Sequence, residues 1–240
     1  MVETCVHRWR VGRVTIKVLR RCEKYRPLTA PTSDDSAFAT RVLALLSIVT
    51  TLFFVVTAIV VHVIDRQYDP IRDYMSDYAI GPGGSLFTTA IYATALGTVS
   101  LVVGLWRVML PPVRPVAGLA LIVLFAVGYT ILGTFPTDIL KSGQMPTTTS
   151  GTLHVIGATV GWFSFALGSF LTTQGFRRHP NFSKMSRVAL LFSCLAIGAI
   201  IVLAIVEVLM LPIAGLAEKS FIAFRELWLL IAGFALLRSA

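Results

Sequence analysis

Four acids recur every four residues in the segment DRQYDPIRDYMSDY: Asp65, Asp69, Asp73 and Asp77. Carboxylates bind cations, accept hydrogen bonds and move protons. Such a row reads as a cation or polar-headgroup site, or as the solvated face of an amphipathic helix. On one continuous helix these like charges would stack on one face, which is unfavourable without a counter-ion. Pro70 argues against continuity. Asp69 as N-cap with Pro70 at the first helical position predicts a short interfacial helix over residues 70–79. Ile71, Tyr74, Met75 and Tyr78 would then dip into the headgroup layer, and Gly81-Pro82-Gly83-Gly84 would turn the chain onward.

Two further pairs carry candidate chemistry. Asp138 and His154 are equidistant from Pro146. An Asp–His hydrogen bond sets a ring tautomer and is the minimum for general-base work or one arm of a metal site. Glu207 and Arg225 are equidistant from Leu216 and would pair across a helical hairpin. A paired charge in hydrocarbon costs far less than a lone one, and such a pair also serves to lock two helices together.

The elements that must position these residues are membrane spans. The chain has 240 residues, is 55% hydrophobic and only 14% charged, where a soluble domain carries about 25% charge. A soluble enzyme, a disordered chain and a disulfide scaffold are excluded. Six continuously apolar stretches approach the roughly 20 residues a helical span needs. They run from about Arg41 to Ile64, Leu86 to Trp106, Val116 to Leu132, Leu153 to Thr173, Val188 to Leu211 and Phe221 to Leu237. Continuous rather than alternating hydrophobicity predicts an all-α bundle, not a barrel. Gly157 and Gly161 read as an intramolecular packing seam.

Of the 21 Lys and Arg residues, only Arg66, Arg72, Lys141, Lys219 and Arg225 fall on the side of the loops after spans one, three and five. The positive-inside tendency therefore predicts a plasma-membrane protein with both termini cytoplasmic. Of the 12 acids, Glu3, Glu23, Asp34 and Asp35 lie in the N-terminal tail, and the rest fall on the outward side. Residues 1–40 read as a basic cytoplasmic tail ending in a linker, Pro27–Ala39, ahead of a membrane domain at 41–240. The net charge of +9 suits an anionic inner leaflet better than nucleic acid. Trp9, Val11, Val14, Ile16 and Val18 could touch headgroups. Cys5, His7 and Cys22 fit no zinc spacing, and no structural disulfide is expected.

The run from Tyr68 to Asp77 resembles the loop after span one in a prokaryotic integral membrane family catalogued as domain of unknown function 998. The block Phe135-Pro136-Thr137-Asp138, followed by Thr147–Gly151 and His154, resembles the family's central signature. Gly215-Leu216-Ala217-Glu218-Lys219 resembles its last motif, which usually ends in Arg, so Lys219 is a departure. The resemblance covers about residues 41–240. It implies a compact six-helix bundle with these motifs at the non-cytoplasmic face, and it implies no activity. It singles out Ser76, Asp77, Asp138, His154 and Glu218 as one assembled site.

Together these readings give an outward-facing pocket of Asp73, Ser76, Asp77, Asp138, His154, Glu207, Glu218 and Arg225, suited to a lipid or other amphiphile. A metal-dependent hydrolase would use Asp138 and His154, with His62, Asp77 and His154 as metal candidates. A haem or quinone protein would use His62 and His154. A structural subunit of a membrane complex needs none of this chemistry. No cofactor is specified by any motif.

Overall fold

In a computed structural model, residues 34–240 are described in full and residues 4–11 and 14–21 as backbone. The membrane domain is all-α. It consists of α1 (Asp34–Ile64), α2 (Gly84–Val108), α3 (Val116–Thr134), α4 (Thr149–Arg178), α5 (Ser186–Val208) and α6 (Ala214–Leu237). All six are long and apolar enough to cross a membrane. Ahead of them, β1 (Thr4–Val11) and β2 (Val14–Arg21) pair as an antiparallel hairpin, with Val11 opposite Val14. The expected headgroup contacts of the tail and the thiol chemistry of Cys5 and Cys22 lie outside the described residues.

Each helix packs on its successor, and α6 closes the ring on α1. α6 also reaches α2 and α4, so it leans towards the centre. One end of the bundle carries the loops 65–83, 135–148 and 209–213 and is called the acidic end below. The terminal end carries the start of α1 and the end of α6.

The packing follows from small residues and hydroxyls. α3 and α4 approach closely where Gly128 meets Gly157 and Gly161, and a Cβ on Gly128 would press on the Gly157 carbonyl. This is the seam expected of a small-xxx-small pattern. Inside the ring, hydroxyls bond back to their own helix. Thr50 donates to the Leu46 carbonyl at 2.9 Å, Thr51 to Ser47 at 2.8 Å and Thr173 to Ser169 at 2.8 Å. A hydroxyl satisfied in this way can be buried without a second element. The outside is apolar instead, with Leu191, Ile201, Val202 and Ile205 of α5 all exposed.

Two boundaries differ by seven residues from the sequence expectation. α1 begins at Asp34, so residues 34–39 are helix rather than linker. Asp34 and Asp35 in its first turn favour that start through the helix dipole. α6 begins at Ala214 instead of near Phe221. Hydropathy excluded Glu218 and Lys219, yet both find tertiary partners and stay helical.

The early start of α6 removes the expected Glu207–Arg225 pair. With the connection confined to 209–213, Glu207 ends α5 near the acidic end. Arg225 lies 11 residues into α6, about 16 Å along the helix and close to the middle of a roughly 30 Å hydrocarbon layer. There it pairs with its neighbour Glu226. Nε donates to Glu226 Oε1 at 2.9 Å, and Nη2 reaches the same oxygen. The two side chains are 0% and 3% exposed. The guanidinium lies over the rings of Tyr129, Phe54 and Phe125, at 4.5, 5.0 and 5.5 Å from their centroids. Aromatic faces from α1 and α3 thus substitute for solvent around the cation.

Removing one partner of such a pair leaves an uncompensated buried charge, a cost of about 3–5 kcal/mol. Arg225→Met and Glu226→Gln should each destabilise the bundle by that order, measured as unfolding in mixed detergent. The double variant Arg225→Met/Glu226→Gln should lose much less than the sum. Additive losses would show that the two charges act independently.

Candidate functional site

Loop 65–83 is built around its acids, but not as one amphipathic helix. Asp65 at the end of α1 is fully buried, and both its oxygens accept from the Gly83 N–H at 3.2 Å. A Cβ on Gly81 or Gly83 would press on this carboxylate, which explains the glycine turn. Asp69 accepts from the Ile71 N–H at 2.8 Å and starts a turn that closes when Asp73 N–H donates to the Asp69 carbonyl at 2.9 Å. Tyr74 is then extended, and a 3-10 helix follows over Met75–Ile80. The expected helix over 70–79 is therefore broken at Tyr74. Met75 and Tyr78 are 2% and 1% exposed, packed into the core rather than dipping into headgroups. Ile71 alone of the four is largely exposed.

The loop docks on the first turns of α6. Leu216 N–H donates to the Ile71 carbonyl at 2.9 Å, and Gly215 N–H to Arg72 at 3.3 Å. Lys219 Nζ donates to the Asp73 carbonyl at 2.6 Å. In return, Met75 N–H donates to Glu218 Oε2 at 2.5 Å. Gly215 permits the approach, because a Cβ there would collide with the Asp73 backbone. Lys219 needs only one acceptor here, so the departure from Arg costs no fork geometry.

Docking carries Tyr74 across the bundle mouth, where its hydroxyl donates to Glu207 Oε1 at 2.6 Å. The other oxygen of Glu207 accepts from the Gly143 N–H at 2.9 Å. Glu207 thus ties the first and second loops together at the end of α5.

Asp138 and His154 do not bond to each other. Asp138 accepts from the N–H groups of Thr147 and Thr148 at 2.8 and 3.0 Å and from the Thr148 hydroxyl at 2.7 Å. It lies against Gly151, where a Cβ would meet the carboxylate. The free donors just before a helix attract the carboxylate more than a neutral ring does. His154 Nδ1 instead meets the Phe135 carbonyl at 2.9 Å. A carbonyl only accepts, so Nδ1 carries a proton, and Nε2 is an acceptor whenever the ring is neutral.

Between α4 and α5, under these loops, lies a cavity of about 430 Å³. Its acidic-end wall comprises Tyr74, Ser76, Thr137, Gln144, His154, Glu207 and Glu218. Deeper, the wall is mainly apolar, with Ala158, Trp162, Phe163, Ile200, Leu203 and Ala204 beside the one hydroxyl of Thr159. Phe163, Ile200, Ala204 and Val208 also line a second, wholly apolar groove of about 450 Å³ with Ile201, Ile205 and Leu209. That groove runs along exposed faces of α4 and α5. The two cavities are thus adjacent and share Phe163, Ile200, Ala204 and Val208, the first with a polar mouth and the second on the apolar flank.

Of the eight residues expected to line a pocket, the structure brings together Ser76, His154, Glu207 and Glu218. Asp73 and Asp77 stand behind them in the docked loop. Asp138 caps the chain before α4, and Arg225 is sealed in the core with Glu226. Tyr74 and Trp162 escaped the sequence reading as site residues. Tyr74 looked like a headgroup anchor, and nothing marked Trp162 among the apolar residues of its span. Trp162 Nε1 is buried without a hydrogen-bond partner among the described residues.

The metal expectation is not met by the geometry. Among the described residues no three of His, Cys, Asp and Glu are placed to hold a metal ion. His62 Nδ1 bonds the Ala58 carbonyl at 2.6 Å, and its ring lies 4.5 Å from that of Tyr78. It sits on α1, across the ring of helices from His154 on α4. His62, Asp77 and His154 are not gathered as metal ligands.

Loop electrostatics follow burial. Burial, then the nearby Asp73 charge, pushes the Asp77 carboxyl up to about 7, against the Tyr74 N–H and Lys219, which lower it. Burial and the bond to Glu207 also push the Tyr74 hydroxyl up. Hydrogen bonds from Thr148 and Thr147 hold Asp138 below the usual carboxylate range. A carboxyl raised on folding binds its proton more tightly in the native state, so stability falls as pH rises from the unfolded value of 3.8 to about 7. Asp77→Asn imitates the protonated form. It should shrink the difference in melting temperature between about pH 5 and about pH 8 and raise the value at the higher pH. An unchanged difference would show that Asp77 is not held in a desolvated place.

No curated protein and no solved structure matches the chain. The three motifs that assemble this end of the bundle all lie within residues 48–237, which match the model of a family described as Protein of unknown function (DUF998), and the chain belongs to that family.

Proposed function

We propose that the protein binds a membrane amphiphile in the cleft between α4 and α5, head at the acidic end and chain along the apolar groove. The carrying observation is the adjacency of the two cavities through Phe163, Ile200, Ala204 and Val208: the first has polar residues at the acidic end, and the second is wholly apolar and lies on the exposed flank. A ligand pocket of a few hundred Å³ with few polar groups at one end is the form expected of a small-molecule site. Lateral opening lets a chain enter from the bilayer without crossing water. Neither catalysis nor a cofactor is needed for this reading. His154 is oriented by the Phe135 carbonyl rather than by Asp138.

The distribution of Lys and Arg supports placing the acidic end outside the plasma membrane and both termini in the cytoplasm. The basic tail then meets the anionic inner leaflet.

Protein purified in mild detergent should carry a chain-bearing molecule, detected by native mass spectrometry. Ala204 is exposed and lines both cavities, so Ala204→Trp should fill the cleft and remove that molecule while leaving the melting temperature nearly unchanged. Equal retention in wild type and variant, or no bound amphiphile in either, overturns the proposal.

A further inference from the structure

We infer that the bound amphiphile is an acyl ester, held just below its head by the ester carbonyl; this inference rests on the cleft being an amphiphile site. Two polar side chains on the cavity wall are left without partners. Trp162 lines the cavity, and its Nε1 is buried with no hydrogen-bond partner among the described residues. Thr159 lines the cavity one turn earlier on α4, and its hydroxyl makes no hydrogen bond to any described residue. Exposure alone does not explain this. Thr89 and Thr152 are equally exposed, and each donates to a carbonyl of its own helix or cap, at 2.8 and 2.9 Å.

The two donors stand below the polar mouth. Thr159 and Trp162 lie 10 and 13 residues into α4, about 15 and 20 Å along it. Trp162 packs against Leu203, Val206, Ala214 and Ala217, and its ring lies 5.7 Å from that of Phe221. The indole therefore sits beside the end of α5 and the start of α6, about one helical turn from Glu207 and Glu218. A donor left unpaired at such a depth is costly, and a buried indole N–H ordinarily has a partner. Indole only donates, so whatever completes this site brings an acceptor. A carbonyl oxygen has two lone pairs and no proton, so one such atom takes the Trp162 N–H and the Thr159 O–H together. An ester places that atom between a polar head and an apolar chain. Hydroxyls of the head then donate to Glu207 and Glu218 at the mouth, and the chain lies along Phe163, Ala204 and Ile205. A plain alkyl chain would leave both donors stranded.

The test uses the full chain in nanodiscs of ether-linked phosphatidylcholine, a bilayer without ester carbonyls. Monooleoylglycerol and its ether analogue, alike in head and chain, compete at equal concentration, and native mass spectrometry reads the ratio bound. Wild type should prefer the ester by about tenfold, the worth of a buried donor paired rather than stranded. Trp162→Phe keeps an aromatic ring and should bring the ratio close to unity. Thr159→Val should lower it by about threefold. A ratio read within one sample does not depend on how much of a variant is folded. Equal binding of ester and ether by wild type, or a preference that survives Trp162→Phe, overturns this inference and leaves the amphiphile site standing. Binding of neither compound by wild type overturns the amphiphile site itself.

Discussion

The first turn of α6 presents backbone N–H groups that no helix carbonyl can reach, and residues 71–75 supply what they need. The carbonyls of Ile71, Arg72 and Asp73 take Leu216, Gly215 and Lys219, and Glu218 takes the Met75 N–H in exchange. Unpaired polar backbone is expensive in any desolvated setting and more so beside hydrocarbon. This seam decides where Tyr74 and Ser76 stand. Through Tyr74 it reaches Glu207, and through Glu207 the second loop at Gly143. The mouth of the cleft therefore exists only because two segments far apart in the chain complete each other's hydrogen bonds.

The same accounting explains the core. A membrane bundle gains little from burying apolar side chains, since lipid is as apolar as leucine. Close backbone approach at Gly128 and Gly157, hydroxyls bonded back along their own helices, and one ion pair roofed by aromatic rings take over that role. Arg225 and Glu226 are adjacent in sequence, so they can neutralise each other without a partner helix. What ties the pair to the fold is the set of ring faces from α1 and α3 around the guanidinium. The pair and the cleft are separate devices, one at mid-depth and one at the acidic end.

Much of this was legible in the sequence, and the failures are instructive. Six continuous apolar runs were enough for the architecture, because backbone in hydrocarbon must be helical. The motifs around Asp77, His154 and Glu218 could be suspected of meeting, and the docked loop brings them to one end. The pairings were not legible. Hairpin symmetry placed Arg225 opposite Glu207, and it failed because α6 starts seven residues earlier than hydropathy suggests. Glu218 and Lys219 look like loop residues until their partners in loop 65–83 are known. Asp138 and His154 were matched by chemistry alone. The N–H groups of Thr147 and Thr148, just ahead of α4, compete for that carboxylate and win, and a donor of this kind is invisible in side-chain patterns. Trp162 is legible only once the cleft beside it is seen.

The most direct measurement is an experimental structure of the full chain in lipid nanodiscs, inspected along α4 and α5 from Glu207 to Ile201. The account predicts elongated density lying on Phe163, Ala204 and Ile205, ending in a compact head between Tyr74, Glu207 and Glu218. A cleft closed by direct contact of α4 with α5, or lipid density that stays outside it on the bundle surface, would contradict the account.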